Sequence, residues 1–418
     1  MANKIKKVII FFIKLFIKSV SLLIFILPGI FFSLIYFFFK PENKNSKILL
    51  GINEIANNLN LIRDCLIKDG YKITLITTNN KFYEAEHKFQ DLNKIIKITT
   101  NRYFHIFIEP FYLPFLFLKN YFSHNIHFYV WNKSFYPAYI DFFLIKLSKK
   151  KLIIMHCGDD VRYRPIQRII DNEFGLTSWI NAISSNYTFV KNFYFQKISE
   201  ITGNVISIRD QSTFQSKPSF YFKVPMLELS KSTKTANKII KIMHAPSDPE
   251  IKGTNFVYGA IQILKNKNLN FEFTILSNVP NKEILKQLKN TDILIDQPST
   301  WIGRLGMEAC ASGCCVIGGN QNNYMGIYDS PVIQFQTNSM NLAIQLENLI
   351  NNTDFLQEKM NSCYAFWKNN YSYESFKLYF KQIINNQAPT FKPLPNHKAI
   401  LISSAENIFQ KLLIQVFY

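Results

Sequence analysis

The segment DILIDQPSTWIGRLGMEACASGCCVIGG, Asp292–Gly319, sets three elements in close succession. Ile293–Ile295 is a short apolar run of strand length. Gly303–Ser312 has helical spacing, and Gly313 suits its C-cap, where glycine takes the left-handed conformation at no steric cost. Cys315–Ile317 is a second buried strand that runs into Gly318-Gly319. Strand, loop, helix and strand in this order make the repeating unit of a parallel sheet. The loop Asp296–Gly303 then falls between the carboxyl end of a strand and a helix N-terminus, where such sheets bind ligands.

The same alternation extends in both directions. On the amino side lie a strand Ile239–Met243, a loop His244–Gly253, a helix Thr254–Leu264, a strand Phe271–Leu276 and a helix Asn281–Leu288. Further upstream, Lys47–Leu50 reads as a strand ending at Gly51. An amphipathic helix follows to about Lys68, then Asp69-Gly70 and a strand Tyr71–Thr77. Ile95–Ile98, Ile126–Val130, Leu152–Met155 and Val205–Ile208 are further strands. The polar stretch Lys223–Lys238, with Pro225, interrupts the series and reads as a linker. The expected organisation is a segment 1–40, a first domain 47–224, a second domain 236–385 and a tail 386–418. Two α/β domains joined by one linker leave a cleft between them.

From Ser19 to Phe39 the chain carries no charge, enough for a helix of about 20 residues to cross a bilayer. Membrane association is therefore expected. Lys4, Lys6, Lys7, Lys14 and Lys18 precede the apolar core and Lys40, Lys44 and Lys47 follow it, so flanking charge does not orient it. Pro28-Gly29 sits near the middle of the apolar stretch, which leaves two forms open: one membrane helix, or a helical hairpin that dips into one leaflet. A chain lacking residues 1–40 is expected to leave membranes with donor binding intact. Tyr103–Leu118 is aromatic but holds Glu109, Pro110 and Pro114; it reads as a buried or membrane-facing element and not as a span.

The 418 residues are nearly half hydrophobic, which excludes disorder over most of the chain. Lys and Arg number 48 against 29 Asp and Glu, a formal charge of +19 that accommodates an anionic partner. No nucleic-acid module accompanies the charge, and the aromatics gather in apolar runs without interleaved Arg, so nucleic acid is not an expected partner. The run Lys146 to Lys151 is a candidate contact with an anionic leaflet. Cys65, Cys157, Cys310, Cys314, Cys315 and Cys363 include no pair at the spacing of a metal knuckle, and they point to a reducing compartment.

Three loops carry residues suited to chemistry. In Lys252-Gly253-Thr254, Gly253 allows close backbone approach, Thr254 can cap the helix, and the helix dipole with Lys252 favours a phosphate. The loop Asp296-Gln297-Pro298-Ser299-Thr300-Trp301-Ile302-Gly303 feeds a second helix, with Glu308 near its second turn, where a carboxylate can take two ribose hydroxyls. Against this stands a helix-interior Glu paired with a Lys or with solvent. In the first domain, His156-Cys157-Gly158-Asp159-Asp160-Val161-Arg162 follows a strand directly. It reads either as an active-site wall or as a turn capped by Asp; a metal site is not expected there, for want of further His at ligand spacing.

Together, HAPSDPEIKGT at His244–Thr254, the Asp292–Gly319 segment and, more weakly, HCGDDVR at His156–Arg162 resemble the family-4-type glycosyltransferases. These are retaining sugar-nucleotide transferases of the GT-B fold. The resemblance implies two Rossmann-like domains facing a cleft, preceded here by the membrane helix or hairpin. It implies that the second domain binds a nucleotide-diphosphate sugar, with Lys252 on the diphosphate, Glu308 on the ribose, and Gly253, Gly303 and the following amides at the phosphate and sugar. The first domain, through Gly51, Asn53, His156, Asp160 and Arg162, would take the acceptor, with Asp159 at the reaction centre. No metal or other cofactor is implied, since basic residues and helix dipoles stabilise the leaving diphosphate. The sequence departs from the pattern at two places. An earlier glutamate of the family is replaced by Thr300, beside Trp301, and an arginine upstream of the lysine is absent, with His244 or Ser247 nearby. Asp296 and Gln297 are candidates to take over part of donor recognition.

The expected function is transfer of a sugar to a lipid-linked or cell-envelope glycan acceptor, on the cytoplasmic face of a bacterial inner membrane. The alternative is a non-catalytic sugar-nucleotide sensor or scaffold on the membrane.

Overall fold

The structure is a computed structural model that describes residues 2–39, 47–55, 57–78, 94–99, 101–158, 160–161, 186–207, 215–221, 224–226, 228–230, 234–249, 252–297, 303–318, 330–335, 338–389, 392–393, 397–405 and 407–417. The described residues fall into two compact units, one made of 2–161, 186–221 and 380–417, the other of 224–379.

The first unit runs α1 (Ala2–Phe39), β1 (Lys47–Ile52), α2 (Asn58–Lys68), β2 (Lys72–Thr78), β3 (Lys94–Ile98), α3 (Glu109–Tyr121), β4 (Ile126–Val130), α4 (Ile140–Leu147), β5 (Lys151–Met155), α5 (Asn186–Thr202), β6 (Asn204–Ser207) and β7 (Phe220–Tyr221). Its strands form one sheet in the order β3-β2-β1-β4-β5-β6-β7, with every pairing parallel. Strands covered on both faces read as near-continuous apolar runs. β4 and all but the first residue of β1 and β5 are buried throughout. Gly51 is needed for close approach: a Cβ there would lie 2.7 Å from the Ile76 carbonyl oxygen on β2.

The second unit runs β8 (Ile240–His244), α6 (Thr254–Asn266), β9 (Phe271–Ile275), α7 (Asn281–Leu288), β10 (Ile293–Ile295), α8 (Arg304–Ala311), β11 (Cys315–Ile317), α9 (Ser339–Asn351) and α10 (Thr353–Tyr371). The sheet order is β11-β10-β8-β9, again parallel. Its core joins Ile242, Ile293 and Ile317 of the sheet to Val257 and Leu264 of α6 and Leu346 of α9. Helix α11 (Tyr373–Ile384) begins in this unit and ends in the first, followed there by α12 (His397–Ser404) and α13 (Ile408–Phe417).

Helix α1 is continuous through Pro28, so the hairpin break does not form. Proline removes one helical hydrogen bond, and the surrounding turns carry the helix past it. Gly29 serves packing instead of a turn: a Cβ there would lie 2.6 Å from Leu144 of α4. Ser33 donates to the Gly29 carbonyl (2.7 Å) and accepts from the Tyr121 hydroxyl (2.8 Å). The Tyr136 hydroxyl donates to the Phe25 carbonyl (3.2 Å), and Ser21 donates to the Pro110 carbonyl. Tyr36 is buried against Tyr121. Ser21, Phe25, Gly29, Ser33 and Tyr36 make a stripe at three- and four-residue spacing, facing α3 and α4. The opposite face exposes Phe12, Phe16, Leu23, Leu27, Phe31 and Phe38. The element expected at Tyr103–Leu118 is a π-helical turn, Phe104–Ile108, leading into α3 with Pro110 in its first turn.

The run Lys146 to Lys151 is not the free leaflet contact expected of it. Lys146 donates to the Ile201 carbonyl (2.7 Å), and Lys149 lies over the Phe37 ring. Lys150 is buried, donates to the Tyr121 and His124 carbonyls and stacks on Tyr36 and Tyr121. Lys151 donates to the carbonyls of Ile383 (3.0 Å) and Ile384 (2.7 Å), tying the end of α11 to β5. Lys150 and Lys151 thus serve as internal fasteners, while Lys146 and Lys149 remain exposed.

Candidate functional site

In the second unit β8, β10 and β11 end in step: His244 is level with Ile295, and Ile295 with Ile317. Their following loops therefore emerge at one edge of the sheet. His244, at the end of β8, is fully buried. Its Nδ1 donates to the Ile295 carbonyl (2.8 Å), which fixes the neutral tautomer and leaves Nε2 to accept from the Thr254 hydroxyl (3.0 Å). Burial lowers its pKa, which keeps the ring neutral. His244 is thus a clasp between β10 and α6, with both nitrogens engaged inside the protein. Thr254 is the first residue of α6 and not its cap, because its hydroxyl is committed to His244. The cap is Gly253, at φ 67°. Ser247 is exposed in the same loop.

Lys252 extends from that loop to donate to Oε1 of Gln297. Burial lowers its pKa, opposed by the nearby carboxylates of Asp296 and then Asp248. Asp296 is buried, and its Oδ2 accepts from the amide of Gly303, the cap of α8. The Gly303 amide, one of the donors expected to face a phosphate, is therefore occupied by Asp296. Two glycines hold this loop close: a Cβ on Gly303 would lie 2.8 Å from Gln297 Nε2, and one on Gly318 would lie 3.1 Å from the Gln297 amide nitrogen. Lys252, Asp296, Gln297 and Gly303 are one contiguous group.

Glu308 lies on the second turn of α8, buried. Its Oε1 accepts from Arg304 Nε (2.8 Å) and its Oε2 from Asn281 Nδ2 (3.2 Å). The partner is an arginine one turn back, a contact the sequence reading did not identify. Each carboxylate oxygen has a second lone pair, so the group is oriented by its neighbours with acceptor capacity in hand.

In the first unit Gly51 is buried in β1, and Asn53 lies in the loop beyond. His156, at the end of β5, is buried with its ring 5.2 Å from Phe195. Gln215 donates to its Nδ1 (2.8 Å), so Nε2 carries the proton. Burial pulls its pKa down to about 3, and the ring is neutral. Asp160 accepts from the amides of Cys157 (3.1 Å) and Gly158 (2.7 Å), which makes it a turn cap and not a side chain offered to a ligand. Asp159, Arg162, Thr300 and Trp301 lie outside the described residues.

Sequence reasoning missed Glu54. Its two carboxylate oxygens accept from the amides of Leu59 (3.3 Å) and Asn60 (3.2 Å), sealing the start of α2. The signal was an acidic residue in the loop between a strand and a helix that begins without a Ser, Thr or Asp cap.

No known protein-family model matches the chain, and no curated protein does. Solved structures do. A glycosyltransferase from Rickettsia africae ESF-5 superposes with a TM-score of 0.53 at 14% identity, covering 82% of this chain and 100% of that one. Anabaena Alr3699/HepE, solved in complex with UDP and glucose, superposes with a TM-score of 0.50 at 11% identity, covering 82% of this chain and 100% of that one. The fold is that of the GT-B glycosyltransferases. At such identities the likeness establishes architecture, and activity has to be argued from the residues.

Proposed function

We propose that this protein is a membrane-associated glycosyltransferase of the family-4 type. It would move a sugar from a nucleotide-diphosphate donor to a lipid-linked or cell-envelope glycan acceptor, with retention of configuration. The observation that carries the reading is the group of Lys252, Gln297, Asp296 and Gly303 at the carboxyl ends of parallel strands in a GT-B fold. In this reading Lys252 exchanges Gln297 for the donor diphosphate and neutralises the charge that develops as the sugar leaves, which is a large catalytic term. Glu308, oriented by Arg304 and Asn281, accepts ribose hydroxyls. Asp296 and Gln297 share donor recognition with Thr300, Trp301, Ser247 and Gly253, while His244 holds the loop. The first unit supplies the acceptor side through Asn53 and the β5 loop, with Asp159 at the reaction centre. No metal is required, because the lysine and the helix dipoles carry the leaving-group charge.

The membrane part rests on α1, the one helix among the described residues long and apolar enough to cross a bilayer. Its inner stripe is packed on the first unit from Ser21 onward and its outer face is apolar. A helix held along a folded domain fits a position lying in one leaflet, on the cytoplasmic side where bacterial nucleotide sugars are made. Deleting residues 1–40 would strip Tyr36 from Tyr121 and uncover α3 and α4, so the truncated chain is now expected to aggregate. Charging the outer face, as in Phe16→Glu with Leu27→Glu, is the cleaner way to release it.

The test is donor hydrolysis and thermal stabilisation by UDP-, GDP- and ADP-sugars, with Lys252→Ala as control. Stabilisation and slow hydrolysis, both lost in the variant, are expected. Unchanged turnover in Lys252→Ala would remove the diphosphate assignment. The replacement of the earlier family glutamate by Thr300 favours a second reading, a non-catalytic donor sensor. Binding without hydrolysis in the presence of lipid acceptors would select it.

A further inference from the structure

The first unit contains a cavity of about 440 Å³ that the donor chemistry does not use. Lys14 and Lys18 of α1 line it, one helical turn apart. Lys133, from the loop after β4, and Lys191 of α5 join them. Among the described residues Glu109 is the one carboxylate in the lining, and it is already committed to Lys133 (2.9 Å) and to His105. Lys14, Lys18 and Lys191 are left facing one space. Partial desolvation, and then the charge of Lys18, lowers the pKa of Lys191; Asp160 opposes this but is itself held by the Cys157 and Gly158 amides. Like charges gathered round one cavity repel, and the arrangement is relieved by an anion.

The remainder of the lining is mixed: Asn132 and Ser134 are polar, and Ile106, Leu113 and Phe135 give it an apolar side. Lys14 and Lys18 sit on the helix whose outer face exposes Phe12, Phe16 and Leu23. When that face lies in a leaflet, the two lysines are level with the headgroups. The volume suits a small charged group with the start of an apolar tail. Asn53, one of the residues proposed for the acceptor side, also lines the cavity.

We propose that this cavity binds the headgroup of a membrane lipid ending in a phosphate monoester or diphosphate, gripped by Lys14, Lys18 and Lys191. The proposal rests on the membrane part of the functional reading and is independent of sugar transfer.

The full-length protein is to be floated with three kinds of vesicle. One is phosphatidylcholine alone, one adds phosphatidylserine, and one adds phosphatidic acid at matched surface charge. The wild type should bind all three and favour phosphatidic acid. At matched surface charge the non-specific attraction cancels, so the preference reports specific contacts and should be at least about tenfold, the scale of one charge-assisted hydrogen bond. The variant Lys14→Gln/Lys18→Gln/Lys191→Gln should lose the preference and keep binding to phosphatidylcholine. All three side chains are exposed, so the fold should persist, as circular dichroism will check. An equal charge change elsewhere, Lys282→Gln/Lys286→Gln/Lys289→Gln, should leave the preference in place. A preference that survives the cavity variant, or is absent in the wild type, overturns the proposal. Loss of the preference in micromolar inorganic diphosphate would assign the cavity to a soluble anion and overturn the lipid source. Failure to bind any vesicle would overturn the membrane reading and this proposal together. Donor hydrolysis in the same preparations reports on the transferase reading separately.

Discussion

The opening βα step of each unit is built on the same frame and charged in opposite ways. β1 and β8 are both inner strands of parallel sheets. α2 and α6 both start from a left-handed residue, Asn57 at φ 63° and Gly253 at φ 67°, neither with a side-chain cap. At α2 the carboxylate of Glu54 fills the space and accepts from two amides. At α6 the residue before the cap is Lys252, whose ammonium reaches across to Gln297. A helix N-terminus carries roughly half a positive charge. Glu54 cancels it in the first unit, whereas Lys252 adds to it in the second. One supersecondary unit is thus sealed by a carboxylate in one half of the chain and carries an added lysine in the other, where the proposed function places the donor diphosphate.

The widest gap between the halves should appear in turnover. Lys252→Ala is expected to lower donor turnover by about 10²–10³-fold, the scale of losing one charged stabiliser of a leaving group. Circular dichroism and a thermal melt should show the fold retained. Glu308→Ala should weaken donor binding by roughly 10–100-fold, equivalent to one or two hydrogen bonds to a charged group, read by titration with the nucleotide. If both substitutions leave the donor untouched, the contrast between the halves has no bearing on function.

Acid should separate the halves next. Burial lowers the imidazole pKa of His124 to about 4 and of His156 to about 3, and holds His127 low as well, all in the first unit. The unfolded chain takes up protons as pH falls through about 6.5, while these folded rings do not. The stability they contribute is therefore complete above that pH and is lost as pH falls toward 3. At pH 5 each ring still neutral in the fold costs about 2 kcal/mol. Urea melts at pH 7 and pH 5 should show the first unit weakening more than the second, and His156→Gln should flatten its slope. The smallest effect belongs to the seal itself. Glu54→Gln keeps one acceptor and should cost about 1 kcal/mol, lowering the melting temperature by a few degrees with donor binding unchanged.

Much of the architecture was legible because buried parallel strands write themselves as apolar runs. Ile126–Val130, Ile293–Ile295 and Cys315–Ile317 are strands over the spans read from the sequence. Gly313, at φ 74°, closes α8 as its position implied. Pro28-Gly29 misled, because local propensity knows nothing of Leu144, the neighbour that makes a glycine useful there. The lysine run at 146–151 misled for the same reason: its carbonyl and ring partners lie on α1, α3, α5 and α11, distant in sequence. At the site, the clustering of Lys252 with Asp296 and Gln297 follows from two loops, after β8 and after β10, at one sheet edge. The turn capped by Asp160 was one of the two readings that the sequence offered. The internal commitments of His244 and of Glu308 to Asn281 were not legible, since such hydrogen bonds obey no sequence period.

The seating of α1 on the first unit has a consequence in time. Ser21 and its partner Pro110 are 89 residues apart. A ribosome adding about 5–20 residues per second needs roughly 5–20 seconds to deliver the second after the first. For that interval the helix has emerged with both faces bare, and the domain that will cover one of them has not yet been made. Water is a poor host for such a segment, and a lipid leaflet is a good one. In the membrane reading proposed above, insertion of the helix comes before folding of the domain, and the chain is expected to be made at the membrane and not delivered there complete.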